Sequence, residues 1–205
     1  MTADKPQPPT SGGPALGPAA LLRAEVERLK GELIKAEWKI AELEARADVD
    51  PMVEILNRRG FERELTRSIA YVKRYKAQAA LVYIDLDGFK AVNDKYGHAV
   101  GDALLKAVAA QLTTRVRASD IVARLGGDEF AVLLWNLDTE RAFAKAQDLE
   151  AAIAEVGVAA GSARVSVDAS AGVVALNADT TPDIIREAAD KAMYTRKKER
   201  RGHGP

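Results

Sequence analysis

The chain contains no cysteine. That removes disulfides, thiolate metal sites and cysteine nucleophiles together, and it suits a reducing cytoplasm, the compartment expected here. Aromatic residues make up only 5% of the chain. An excess of either charge is also missing, since Lys+Arg and Asp+Glu are 30 each. Binding nucleic acid requires clustered surplus Lys and Arg to neutralise phosphates, so no nucleic-acid partner is expected. No apolar run approaches the roughly 18 residues that span a bilayer. The start, MTADKPQPPTSGGPALGPAALL, has no apolar core behind a basic segment and does not read as a signal peptide.

What is present suits one globular domain with an appendage: 205 residues, 47% of them hydrophobic. Residues 1–18 are rich in Pro, Gly and Ser and read as a disordered tail. Residues 19–47 read as one helix carrying a heptad seam. Val26, Leu33, Ile40 and Ala47 take a positions, and Leu22, Leu29, Ala36 and Leu43 take d positions. Branched residues at a with Leu at d favour a parallel two-stranded coiled coil, so a homodimer through this helix is expected. A second apolar stripe of Ile34, Trp38, Ala41 and Ala45 offers a contact either for the chain's own globular domain or for a signalling partner.

Asp50 and Pro51 suit the N-cap and first position of a new helix, expected to run to about residue 75. The apolar run 79–85 reads as a strand and 97–116 as a helix. Residues 120–124 and 129–135 read as two strands joined by a turn at Gly126-Gly127. Residues 138–156 read as a helix, 164–176 as two short strands and 182–199 as the last helix. Strands alternating with helices around one hairpin imply an α+β sheet covered by helices.

Chemistry concentrates in two stretches. In Gly126-Gly127-Asp128-Glu129-Phe130, two glycines allow positive φ and close approach of a ligand to the backbone. Two carboxylates follow at once, and crowding them is costly unless a cation neutralises them. In Asp85-Leu86-Asp87, the acids end an apolar strand and are read as pointing to opposite sides of it. If the strands are neighbours, Asp85 and Asp128 converge on a site of hard oxygen ligands, which suits Mg²⁺ with substrate phosphates. The same residues would also serve as an ordinary hairpin turn and an exposed strand end.

The motifs decide between these readings by resemblance. Gly126 to Phe130 resembles the signature of the GGDEF family of diguanylate cyclases. Asn57-Arg58-Arg59-Gly60-Phe61, Asp85 to Asp94, Tyr96-Gly97-His98, Gly101-Asp102 and Ala189-Asp190-Lys191-Ala192-Met193-Tyr194 resemble further family motifs in the family's order. The resemblance implies a GGDEF catalytic domain over 48–201, with 202–205 a short tail. It implies a mostly antiparallel sheet of βαββαβ connectivity, similar to nucleotidyl cyclases and polymerase palms, preceded by the coiled coil. It also implies an Mg²⁺-dependent enzyme, with Mn²⁺ the alternative ion, that joins two GTP into cyclic di-GMP.

Roles follow position by position. Asp85, the Leu86 carbonyl and Asp128 would hold metal, Asp128 would act as base, and Glu129 would support the site. Asn93 and Asp102 would read guanine, and Gly126 and Gly127 would approach the substrate. Lys90, Lys197 and Arg201 would hold the triphosphate. Helix capping is the structural alternative for Asn93 and Asp102, and a solvated basic helix end is the alternative for Lys197 and Arg201. Arg117-Ala118-Ser119-Asp120 resembles the family's RxxD inhibitory site, where cyclic di-GMP restrains the enzyme; the alternative is a surface salt bridge. Val53-Glu54 stands where the family often has Thr-Gly, and Arg196 and Arg200 depart from its pattern near the C-terminus. Two rival classes are a non-catalytic nucleotide-binding module and a coiled-coil scaffold. The complete set of Asp85, Asp128, Glu129, Asn93 and Asp102 argues against the first, and the motifs argue against the second.

Overall fold

The computed structural model describes residues 17–177, 179–181, 184, 185, 188 and 191; the side chains of Ala20 and of residues 40–47 lie outside that description. Residues 1–16 of the expected tail and most of the expected helix over 182–199 also fall outside it. The chain forms two units, Met1–Glu44 and Ala45–Pro205.

The first unit is helical. Helix α1 spans Pro18–Ala47, 30 residues, or about 45 Å at the rise of an α-helix. Proline is tolerated at its first position because the missing N–H would have had no partner there. Leu22, Val26, Leu29 and Leu33, the described seam residues of large volume, are 42 to 67% exposed. Arg28 pairs with Glu25 and Glu32, and Lys30 with Glu27, along the same helix. Such exposed pairs contribute little, so the apolar row is the feature of this helix that calls for a partner surface.

The second unit is a five-stranded sheet in the order β1-β3-β4-β2-β7. Its strands are β1 (Leu56–Asn57), β2 (Ala79–Asp87), β3 (Ile121–Gly126), β4 (Glu129–Trp135) and β7 (Asp168–Leu176). β1 is parallel to β3 and every other pairing is antiparallel. A separate ribbon pairs β5 (Val158–Ala160) with β6 (Ala163–Val165). Helices α3 (Phe89–Tyr96), α4 (His98–Thr114) and α5 (Thr139–Ala154) complete one core with Ala80, Val82, Ile84 and Leu86. Helix α2 (Arg58–Tyr75) lays Phe61, Leu65, Ile69 and Val72 on the other face, against Ala79, Leu81 and Tyr83. β2 is thus apolar throughout because both its faces are covered. Edge strand β7 is sealed by α5, whose buried Glu150 accepts the Ala171 N–H at 2.7 Å.

Three sequence expectations need correction. No helix begins at Asp50. Residues 51–55 turn, and α2 starts at Arg58, capped by the Asn57 side chain accepting from Gly60 N–H at 3.0 Å. The Asp50 carboxylate instead accepts Met52 and Val53 N–H at 2.8 and 3.3 Å, the hydrogen bonding of a capped turn without the helix. The helix expected over 97–116 is present as α4, and Gly97 at φ 84 separates it from α3, which the sequence reading did not include. Residues 164–176 do hold two strands, but the break falls before Asp168: β6 ends at Val165 and β7 runs on for nine residues.

The third correction concerns β2. Alternation returns to the same side every second residue, so Asp85 and Asp87 share the α2 face of the strand. Glu54, standing where the family often has glycine, adopts φ 57. That left-handed geometry costs a non-glycine residue about 1–2 kcal/mol, partly offset by glycine's greater freedom in the unfolded chain. Glu54→Gly is therefore expected to stabilise the protein by about 0.5–1 kcal/mol, read as a higher urea midpoint at unchanged slope.

Candidate active site

The register of β2 on β4 builds the site. Asp85 lies directly across from Glu129, and the ladder continues as Leu86 N–H donates to the Asp128 carbonyl at 3.2 Å. Asp85, the Leu86 backbone, Asp128 and Glu129 therefore meet at one end of the two central strands. Asp85 is only 8% exposed. Asp87 accepts the Ser170 hydroxyl at 2.7 Å, which fixes it toward β7 instead. Gly126 and Gly127 make the turn at φ 143 and 53.

Two arginines grip this hairpin, and neither was given a role from the sequence. Arg124 donates Nε and Nη2 to the Gly127 carbonyl at 3.0 and 2.8 Å, and Nη1 to Asp50 at 3.0 Å. Arg58 donates Nε to the Leu125 carbonyl at 2.9 Å and pairs with Glu129 at 3.2 Å. Buried Asp48 nearby is held by Arg59 and Arg63.

Beyond β2, Gly88 at φ 77 turns the chain into α3, so exposed Lys90 sits in that helix's first turn. The helix's N-terminal N–H groups and Lys90 suit an anion there. Asn93 lies one turn further, and its Oδ1 is buried without a protein partner. Gly101 of α4 packs on that oxygen so closely that a Cβ would overlap it. This contact of α3 with α4 sets Asn93 beside the turn that carries exposed Asp102. Neither residue caps a helix: the caps are Gly88 and Gly97, and neither cap makes a side-chain bond. Lys197 and Arg201 lie outside the described residues.

A second concavity of about 420 Å³ surrounds Arg117 and Asp120. Asp120 accepts the backbone N–H of Arg117 and of Trp135, both at 3.0 Å. It thereby builds the turn, and no Arg117–Asp120 salt bridge of the kind weighed from the sequence is found among the described residues. The wall opposite comes from α5, with Arg141, Lys145 and Asp148, and Arg115 completes a group of four cations. The hydrogen bond from Lys145, together with the Lys145 and Arg115 charges, holds the Asp148 carboxyl below its usual range. No local motif marks these α5 residues, because only tertiary packing brings them to Arg117.

Among the described residues no group of three or more His, Asp or Glu forms a ready-made metal cluster. The donor set at Asp85 and Asp128 still fits Mg²⁺, which takes one or two carboxylates and completes its shell with phosphates and water. Residues 47–203 match the family described as diguanylate cyclase, GGDEF domain.

The chain belongs to this family.

Diguanylate cyclase TpbB of Pseudomonas aeruginosa is 38% identical over 183 residues, 87% of this chain and 42% of TpbB. The chain thus spans less than half of that relative. The crystal structure of diguanylate cyclase SiaD with its activator SiaC, also from P. aeruginosa, aligns with TM-score 0.72 at 26% identity over 87% of this chain and 70% of SiaD. The coiled coil and GGDEF domain of Caulobacter crescentus DgcB, in complex with c-di-GMP, aligns with TM-score 0.74 over 87% of this chain and 95% of that one; at 22% identity it speaks for the fold. Among the described residues no helix is long and apolar enough to cross a membrane.

Proposed function

We propose that the protein is an Mg²⁺-dependent diguanylate cyclase that works as a homodimer and is restrained by its own product. The observation that carries this reading is Asp85. Asp85, 8% exposed, sits directly across from Glu129 at the end of an apolar strand, and the Leu86 backbone and Asp128 meet it there, a set of hard oxygen donors that suits a divalent cation. Asp85, the Leu86 carbonyl and Asp128 would hold Mg²⁺ or Mn²⁺, with Glu129 in support. The bound ion would neutralise triphosphate charge and lower the pKa of the ribose 3′-hydroxyl.

The chain's own residues supply the rest. The exposed Asp102 carboxylate can accept the N1–H and N2–H₂ donors of guanine, a donor pair that adenine lacks, with Asn93 beside it to contact the base. The start of α3 and Lys90 can bind the phosphates, and Lys197 and Arg201 extend that set from beyond the described residues. Asp128 can take the proton as the 3′-oxygen attacks the α-phosphorus of the GTP held by a second domain. One O–P bond forms, the bond to the bridging oxygen breaks, and pyrophosphate leaves; the reciprocal step closes the ring.

Two domains are required, and the seam of α1 would supply the second by raising its effective concentration. Ile34 and Trp38, 55 and 76% exposed, extend the second stripe, which would suit a partner protein; SiaD, with its activator, is a relative that works with one. The four cations around Arg117 would receive the two phosphates of cyclic di-GMP.

Incubating the protein with GTP and Mg²⁺ should yield cyclic di-GMP and pyrophosphate. Asp128→Asn should remove this product by at least about 10²-fold while leaving the melting curve intact; substantial product from the folded variant would refute the assignment. Arg117→Ala should weaken cyclic di-GMP binding roughly tenfold or more, by loss of one charge-assisted fork, and raise product accumulation. An unchanged titration would remove the inhibitory site. Replacing Leu29 and Leu33 together by Asp should give a folded monomer whose activity recovers as concentration rises. Light scattering that still finds a stable dimer would show that α1 does not assemble the enzyme.

A further inference from the structure

Among the described residues no atom lies within 4 Å of where a side chain would begin on Gly126 or Gly127, and both glycines are exposed. Adjacent glycines carry the most backbone freedom of any pair, so the turn's conformation is not enforced by sterics. Asp128 nevertheless has to stay at one place at the end of β4. Arg124 provides the constraint. Its forked guanidinium closes on the single Gly127 carbonyl through Nε and Nη2, at 3.0 and 2.8 Å. The third contact, Nη1 to Asp50 Oδ2 at 3.0 Å, holds the fork itself. This pair is largely enclosed, at 11% and 17% side-chain exposure.

We infer that Arg124 is a positioning residue, oriented by Asp50, that holds the Gly127–Asp128 peptide in its working geometry. The role rests on the diguanylate cyclase reading above. Asp50 belongs to the short loop between α1 and β1, and its other oxygen, Oδ1, organises that loop through Met52 and Val53 N–H. One carboxylate therefore ties the shape of the loop after α1 to the shape of the turn that carries Asp128. A shift of the loop releases the fork, and with it the Gly127 carbonyl. Arg58, on Leu125 and Glu129, steadies the flanks of the hairpin but does not touch the glycine peptide. Lysine cannot replace Arg124, because a point charge has no planar fork to restrain a carbonyl in two directions.

The test uses the full chain and two readouts. Arg124→Lys should lower kcat by roughly 10²-fold, the size of effect expected when a reacting group is misplaced by about 1 Å. KM for GTP and the affinity for cyclic di-GMP should stay within about twofold, since neither Asn93, Asp102 nor Arg117 is touched. Hydrogen exchange of the Gly127 and Asp128 amides should quicken by about tenfold, with β2 amides unchanged. Asp50→Asn should shift both readouts in the same direction and serves in place of Arg124→Lys if that variant does not fold. Turn amides that exchange at the wild-type rate in the folded variants overturn the inference, whatever happens to kcat. A wild-type protein that makes no cyclic di-GMP would overturn the enzymatic reading instead, and the exchange rates alone would then decide whether Arg124 holds the turn.

Discussion

The antiparallel pairing of β2 with β4 is the contact on which the rest depends. Both strands are covered on both faces, so their register cannot slip without moving a whole row of side chains into the opposite core. That rigidity places a carboxylate, Asp85, at 8% exposure opposite Glu129. A buried acid is costly unless it is paired or hydrogen-bonded. The hydrophobic cores thus hold the charged centre by leaving the strands no alternative alignment.

What the cores do not hold is the turn beyond them. Its glycines are free of steric contact, and the restraint passes to hydrogen bonds from Arg124 and Arg58. The same economy appears in the loop before β1. Asp50 uses both carboxylate oxygens, and Asp48 is buried against two arginines. Glu54 holds a left-handed conformation there without glycine. Polar networks of this kind specify one arrangement when satisfied, and their loss is felt locally.

The surface around Arg117 is organised differently. Asp120 is consumed in building its own turn, accepting two backbone N–H groups, and the charges around it in the cleft are mostly cations. Arg141 and Lys145 arrive from α5, on the far side of the β4 hairpin in sequence. Asp148 lies among them with a depressed pKa, so the cleft keeps one negative charge that any anionic ligand must tolerate.

By itself the sequence determined the fold class, the hairpin at Gly126-Gly127, the identity of the acidic centre and the family. These are legible because they are local: an apolar run of strand length, a glycine pair, and contiguous motifs such as Asp85 to Asp94 carry their meaning in neighbouring residues. It also misled locally. Asp50-Pro51 has the chemistry of a helix start, but its carboxylate was taken by a turn and by Arg124, 74 positions away. Which residues brace the turn, that Asn93 and Asp102 are not caps, and that Arg117 shares its cleft with α5 were decided only by tertiary structure. Each depends on a hydrogen bond or close approach between distant segments, and no local pattern in a single sequence encodes which distant partner a polar group will find.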